Sequence, residues 1–228
     1  MATVTKESID RWFSYNLDTE NRTLYMGSVD TFSSGNENGV DYVMTEYMIK
    51  GLHVLDSKNN NPITIIMNNP GGDWYHGMAI YDSIKNASSH CTIKVYGYAM
   101  SMGSVILQAA DKRILMPNSR FMIHYGSTSF NDASLPLIEK WVSEERRINY
   151  DMEEIYLQSM LEKETKEGHG YLAKTLTNIL ESPKTFSRKA ETKKEELRTV
   201  LKEMLNFDTI LTAEETVDLG FADEIYKP

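Results

Sequence analysis

Short apolar runs of strand length alternate with helical stretches through the first half of this chain, and that rhythm limits the folds open to it. Ile63–Met67 is apolar and rich in β-branched residues, and it stops at Asn68-Asn69-Pro70-Gly71-Gly72. Thr92–Tyr96 is a second such run; Arg113–Met116 and Phe121–His124 are two more, divided by a Pro117-Asn118 turn. Thr23–Met26 is an earlier strand candidate. Between these, Val40–Val54 carries Val43, Tyr47, Ile49 and Val54 on a loosely periodic face, Gly77–Ile84 reads as helical, and Ser101–Ala110 reads as a buried helix. Repeated strand–helix alternation implies an α/β domain with crossover connections. The β-β-α rhythm in the middle hints at a spiral.

After His124 the pattern changes. Asp132 is positioned to cap a long helix reaching about Glu162, with Pro136 in its first turn. Ile138, Trp141, Ile148, Met152 and Ile155 form a heptad-like seam broken at Glu145. That seam fits a helix packed on its own domain, and it fits one docked on another subunit. Lys163–Gly170 reads as a charged breaker, followed by helical stretches Tyr171–Leu180 and Lys189–Leu205. Ala213–Leu219 is a short helix with Thr212 as its cap and Gly220 as its stop. At the other end, Ser8–Ser14 is a short helix candidate in an otherwise peripheral arm.

Composition excludes several classes of function. With 228 residues, 41% of them hydrophobic, the chain has enough apolar material for a core. A net charge of −9 argues against general binding to nucleic acid or acidic membranes. No apolar run approaches the ~20 residues of a membrane helix. The start is polar, without the form of a signal peptide. The single cysteine, Cys91, excludes a disulfide within the chain. The expectation is a soluble, cytoplasmic protein. The five histidines show no metal-ligand spacing, and there is no phosphate-binding glycine motif, so no metal or cofactor is expected.

The residues that could carry chemistry are few. Ser101, in Ala99-Met100-Ser101-Met102-Gly103-Ser104, lies between a β run and an apolar helix. Backbone N–H groups at a helix start are unpaired and the dipole there favours negative charge, which suits a nucleophile. Serine is also a favoured N-cap for purely structural reasons. Ala99 breaks the Gly-x-Ser-x-Gly pattern of α/β-hydrolases. The Asn69-Pro70-Gly71-Gly72 turn either ends a strand or aims a glycine N–H at an oxyanion or a substrate strand. His124, at the end of an apolar run, is either a boundary residue or a base brought to a serine. Cys91 opens a β run and reads as a buried small residue.

Taken together, these segments resemble the Clp protease proteolytic subunit family. The likeness is carried by Asn68-Asn69-Pro70-Gly71-Gly72, by Gly77-Met78-Ala79-Ile80-Tyr81-Asp82, by Ala99–Gly103, by Met116-Pro117-Asn118-Ser119-Arg120-Phe121-Met122-Ile123-His124 and by the closing Leu211–Asp223 segment. The resemblance implies the spiral of β-β-α units shared with crotonases, extended by a helical handle. It divides the chain into an arm (1–21), a head (22–131 and 208–228) and a handle with an insertion (132–207). It implies a serine endopeptidase acting on polypeptides within a self-compartmentalised homo-oligomeric ring, and a AAA+ unfoldase enters as a candidate partner. Ser101 would be the nucleophile, His124 the base, and the N–H groups of Gly72 and Met102 the oxyanion hole. A substrate strand would lie along Gly71 and along Gly126 and Ser127.

Three departures accompany the likeness. Met204 stands where the third triad residue belongs; Asp208 is favoured in its place, with Glu203 and Asn206 as alternatives. The Gly-rich strand expected after the base is replaced by Tyr125–Asn131. About thirty residues, near 164–197, look inserted. Two other readings are a catalytically decayed assembly protein of the same fold and a crotonase-type acyl-CoA enzyme.

Overall fold

The computed structural model describes residues 5–27, 39–129 and 131–227. The first four residues of the expected arm, and Phe130, lie outside the described residues. The chain divides into two compact units: Met1–Met122 with Leu211–Val217 and Phe221–Pro228, and Ile123–Ile210 with Asp218–Gly220.

The first unit begins with α1 (Lys6–Tyr15). Thr5 and Ser8 exchange a capping box there, which satisfies two N–H groups that the helix cannot. The hairpin β1 (Leu17–Asp18) and β2 (Thr23–Met26) follows, then α2 (Tyr42–Lys58), whose first turn is capped by Asp41 through the Met44 N–H. Next come β3 (Ile63–Asn69), α3 (Trp74–Lys85), β4 (Cys91–Met100), α4 (Met102–Leu107), β5 (Lys112–Leu115) and β6 (Arg120–Ile123). The expected strands and helices are therefore present, with β4 running on to the serine. The sheet order is β1-β2-β3-β4-β5-β8, parallel beyond β2, with β8 being Glu224–Ile225. It is the mixed α/β fold that the alternation predicts.

β4 changes neighbour along its length. Thr92–Val95 pairs with β5, whereas Tyr98–Met100 pairs with β6. Between them lies a bulge: Met67 and Asn69 of β3 face Val95 and Ala99, so two steps on one strand oppose four on the other. Gly97 makes it feasible. Its φ is +75°, and a Cβ there would fall 2.4 Å from Asn68 Oδ1. The bulge re-aims the end of β4, which delivers Ser101.

Alternate residues of β3 (Ile63, Ile65, Met67 and Asn69) are fully buried. The helices close over the sheet through small residues: Gly51 of α2 lies against Leu24, and Gly77 of α3 against the Met102 side chain. The chain's end is tied back by Arg113, which forks onto Asp223 and donates to Gln108, while Phe121 and Phe221 stack at 5.3 Å. Strand β7 (Thr209–Thr212) leads back into this unit, and Thr212 caps α8 (Ala213–Asp218) by a reciprocal box with Glu215, as expected.

The second unit is helical. α5 (Leu135–Glu167) has 33 residues, about 50 Å at 1.5 Å per residue. Two boundaries differ from the sequence reading. The N-cap is Ser134, not Asp132, which adopts φ +54° outside the helix. The charged stretch from Lys163 does not break the helix; it continues to Glu167 and ends at Gly168. Lys163–Glu167 pairing across one turn at 3.2 Å is compatible with that continuation. α6 (Tyr171–Ile179) and α7 (Ala190–Leu205) pack against the last half of α5, burying Tyr156, Leu157 and Met160 with Leu172, Leu176, Leu197 and Leu201. Of the predicted seam, Ile148 and Met152 are buried in this unit, whereas Trp141 is exposed, as are Leu135 and Leu137 nearby.

Candidate active site

Ser101 occupies the single step between β4 and α4, with φ +50° and ψ −125°. A non-glycine residue in that region is strained by roughly 1–3 kcal/mol, so its surroundings must hold it there. They do so through the backbone: the Ser101 N–H donates to the Met122 carbonyl at 2.9 Å, and its own carbonyl accepts from Ser104 Oγ at 2.6 Å. The N-cap role that a serine often plays at a helix start is not the one seen here: the side chain makes no capping hydrogen bond to α4.

Gly71 and Gly72 lie against this turn. Gly71 has φ +102°, and a Cβ on it would fall 2.5 Å from Ser101 Cβ and 2.9 Å from the Met102 nitrogen, so only glycine permits this approach. Asn69, buried, accepts the Gly71 N–H at 2.9 Å and sets the turn. Val40 donates to the Gly71 carbonyl at 2.6 Å and accepts from the Asp73 N–H at 2.9 Å. In such a parallel bridge the intervening residue turns its own groups the other way. The N–H of Gly72, which is exposed, therefore points away from Val40. The N–H of Met102 belongs to the first turn of α4, where no intrahelical acceptor exists.

The other predicted residues are in the second unit. His124 follows directly on β6, and its Nδ1 is 2.9 Å from Asp208 Oδ1. Asp208 lies between α7 and β7 with its side chain 71% exposed, against 25% for His124. Of the alternatives, Glu203 pairs with Lys184 at 3.0 Å and Asn206 is the C-cap of α7; Met204, at the aligned position, is buried. Gly126 and Ser127 are exposed and outside regular secondary structure. Cys91 is buried, and burial, reinforced by Asp111, pushes its thiol up to about 11, far from a thiolate at neutral pH.

One group that motif reading passes over is Tyr125. Its hydroxyl donates to Glu153 at 2.6 Å, and its N–H donates to the Leu205 carbonyl at 2.8 Å. Its partners stand 28 and 80 positions away in a helical region without a motif, so no local signal marks them. Among the described residues, no cluster of three or more His, Cys, Asp or Glu has metal-binding geometry, and no helix is long and apolar enough to cross a membrane.

A sequence profile described as Clp protease matches residues 35–169, more than half of the chain. That span takes in Gly72, Ser101 and His124; Asp208 lies beyond it. The chain belongs to the Clp protease family. It is 38% identical over 120 residues to the ATP-dependent Clp protease proteolytic subunit of Deinococcus radiodurans, covering 51% of this chain and 58% of that protein. It is 33% identical over 146 residues to the ATP-dependent Clp protease proteolytic subunit 2 of a Prochlorococcus marinus strain, covering 60% and 73%. Among solved structures, a ClpP1 mutant from Listeria monocytogenes superposes with a TM-score of 0.65 at 22% identity, over 92% of this chain and 94% of that one. This last likeness concerns the fold alone.

Proposed function

We propose that this chain is a serine-type endopeptidase in which Ser101 is the nucleophile, His124 the base and Asp208 the residue that orients the imidazole. The observation that carries this reading is the strained Ser101 turn, held against Gly71 on one side and bonded through its N–H to Met122, two residues before His124, on the other. Met122 and His124 are two residues apart, which limits their separation to about 7 Å. The His124–Asp208 distance supports the choice of Asp208 over Glu203 and Asn206.

In the proposed reaction, Ser101 Oγ attacks the peptide carbonyl carbon while His124 Nε2 takes its proton. The N–H groups of Gly72 and Met102 hold the oxyanion. The C–N bond then breaks, and the amine leaves with the proton from His124. Water, deprotonated by the same imidazole, hydrolyses the acyl-enzyme and restores Ser101. Asp208 keeps the proton on Nδ1, so that Nε2 faces the serine. The exposed backbone at Gly72 and at Gly126–Ser127 offers pairing partners to an extended substrate; Gly71, expected in that role, is buried with its N–H on Asn69 and its carbonyl on Val40.

Hydrolysis by this route consumes only water. The ATP dependence in the relatives' names would reside in a partner, for which a AAA+ unfoldase is the proposed class. The assembly proposed is a homo-oligomeric ring that encloses the sites. Ser101→Ala tests the core of the reading. It should abolish hydrolysis of short fluorogenic peptides and labelling by a serine-reactive probe, with particle mass unchanged. Undiminished hydrolysis in that variant would remove the proposal.

A further inference from the structure

Asp208 is mostly solvent-exposed, and a contact between exposed side chains is weak and mobile on its own. The His124–Asp208 geometry therefore needs support from residues that are not exposed. The second unit contains a buried charge cluster that reaches Tyr125, the residue after His124. Glu153 of α5 is 4% exposed and Arg198 of α7 is 8% exposed. Glu153 Oε2 accepts from Arg198 Nη1 at 3.3 Å and lies 3.5 Å from Lys202 Nζ. Arg198 also pairs with Glu154, which binds Lys194 at 3.0 Å, and lies 3.6 Å from Glu195.

Glu153 Oε1 accepts the Tyr125 hydroxyl at 2.6 Å. A buried carboxylate is costly unless its lone pairs are filled, so this bond fixes the phenol as much as it satisfies the acid. Burial, then the adjacent Glu153 carboxylate, drives the Tyr125 phenol strongly up, so it stays a donor. The Tyr125 N–H meanwhile donates to the carbonyl of Leu205, the last residue of α7, and Asp208 follows three positions later. Two bonds, Tyr125–Leu205 and His124–Asp208, thus close a small ring of chain. With residue 125 held at both backbone and side chain, the neighbouring His124 keeps little freedom beyond its own side-chain torsions.

We propose that Tyr125 and Glu153 are positioning residues for the His124–Asp208 pair, anchoring it to the buried Arg198 cluster between α5 and α7. As a catalytic role this rests on the peptidase reading above; as a statement about the imidazole it stands alone. The test compares Tyr125→Phe, which keeps the packed ring and loses only the hydroxyl, with Tyr171→Phe. The latter removes a similar bond, Tyr171 to Asp218 at 2.9 Å, in the same unit.

In full-length protein labelled with ¹⁵N-histidine, the wild type and Tyr171→Phe should hold neutral His124 as the Nδ1–H tautomer. Tyr125→Phe should move it toward the Nε2–H form. Alongside, kcat on a fluorogenic peptide should fall at least about 10-fold in Tyr125→Phe with KM little changed, as expected of a misplaced catalytic group. An identical tautomer population in wild type and Tyr125→Phe overturns the proposal, whatever the activity. A wild type that turns over no peptide overturns the peptidase reading instead, and the tautomer comparison still decides the positioning claim.

Discussion

Asp208 is where residue-scale chemistry can be separated most sharply. On the proposed mechanism, Asp208→Asn leaves a group that can hydrogen-bond His124 but favours the wrong imidazole tautomer. The expected result is a fall in kcat of about 10²–10⁴-fold with the fold intact. Glu203→Gln, three residues before the end of α7's cap, should change kcat by less than about twofold, because that carboxylate serves Lys184. Steady-state kinetics on one fluorogenic peptide checks both. Equal losses in the two variants would remove Asp208 from its role. Ser101 stands in a related position: the residue found at a helix start is often a cap, and here the backbone is twisted to φ +50° and the side chain makes no capping hydrogen bond to α4.

At the scale of elements, the α5–α6 junction is held by one buried carboxylate. Glu164, its side chain 2% exposed, accepts the Gly170 and Leu172 N–H groups at 2.7 and 2.9 Å, and Lys193 lies 3.3 Å away. It thereby satisfies two N–H groups at the start of α6 that Gly170, as N-cap, cannot. Burial alone would raise its pKa, but the Leu172 and Gly170 N–H groups and Lys193 together hold it below the ordinary 4.5. A folded pKa below the unfolded one stabilises fully above the unfolded value, and the contribution is lost as pH falls through the folded one. Glu164→Gln should therefore lower stability at pH 7 by about 1–3 kcal/mol. It should also flatten the loss of stability below about pH 4.5. Urea unfolding at fixed protein concentration across that pH range is the measurement. A parallel decline in both proteins would show that Glu164 is not the titrating group.

For the whole molecule, the open question is assembly. The first half of α5 exposes Trp141 of the predicted seam, together with Leu135 and Leu137 beside it. On the proposed ring, native mass measurement should give a multiple of 26.1 kDa, and Trp141→Glu should lower the mass or leave a smaller particle. A 26.1 kDa species at micromolar concentration would sink the ring.

What the amino-acid order determined alone was whatever a few neighbouring residues can encode. The runs Ile63–Met67 and Thr92–Tyr96 read as strands, Gly71-Gly72 as a turn and Thr212 as a cap, and the two residues proposed for the chemistry, Ser101 and His124, stand at element ends that local pattern marks. Asp132 failed as a cap because Ser and Asp are interchangeable there by propensity, and the path of the chain into α5 chose Ser134. The packing of α7 on α5 decided the rest. It brings Asp208 to His124 across 84 positions and seats Tyr125 on Glu153. Such pairings follow from where two helices stop, a property of the packed chain that no short window of residues contains.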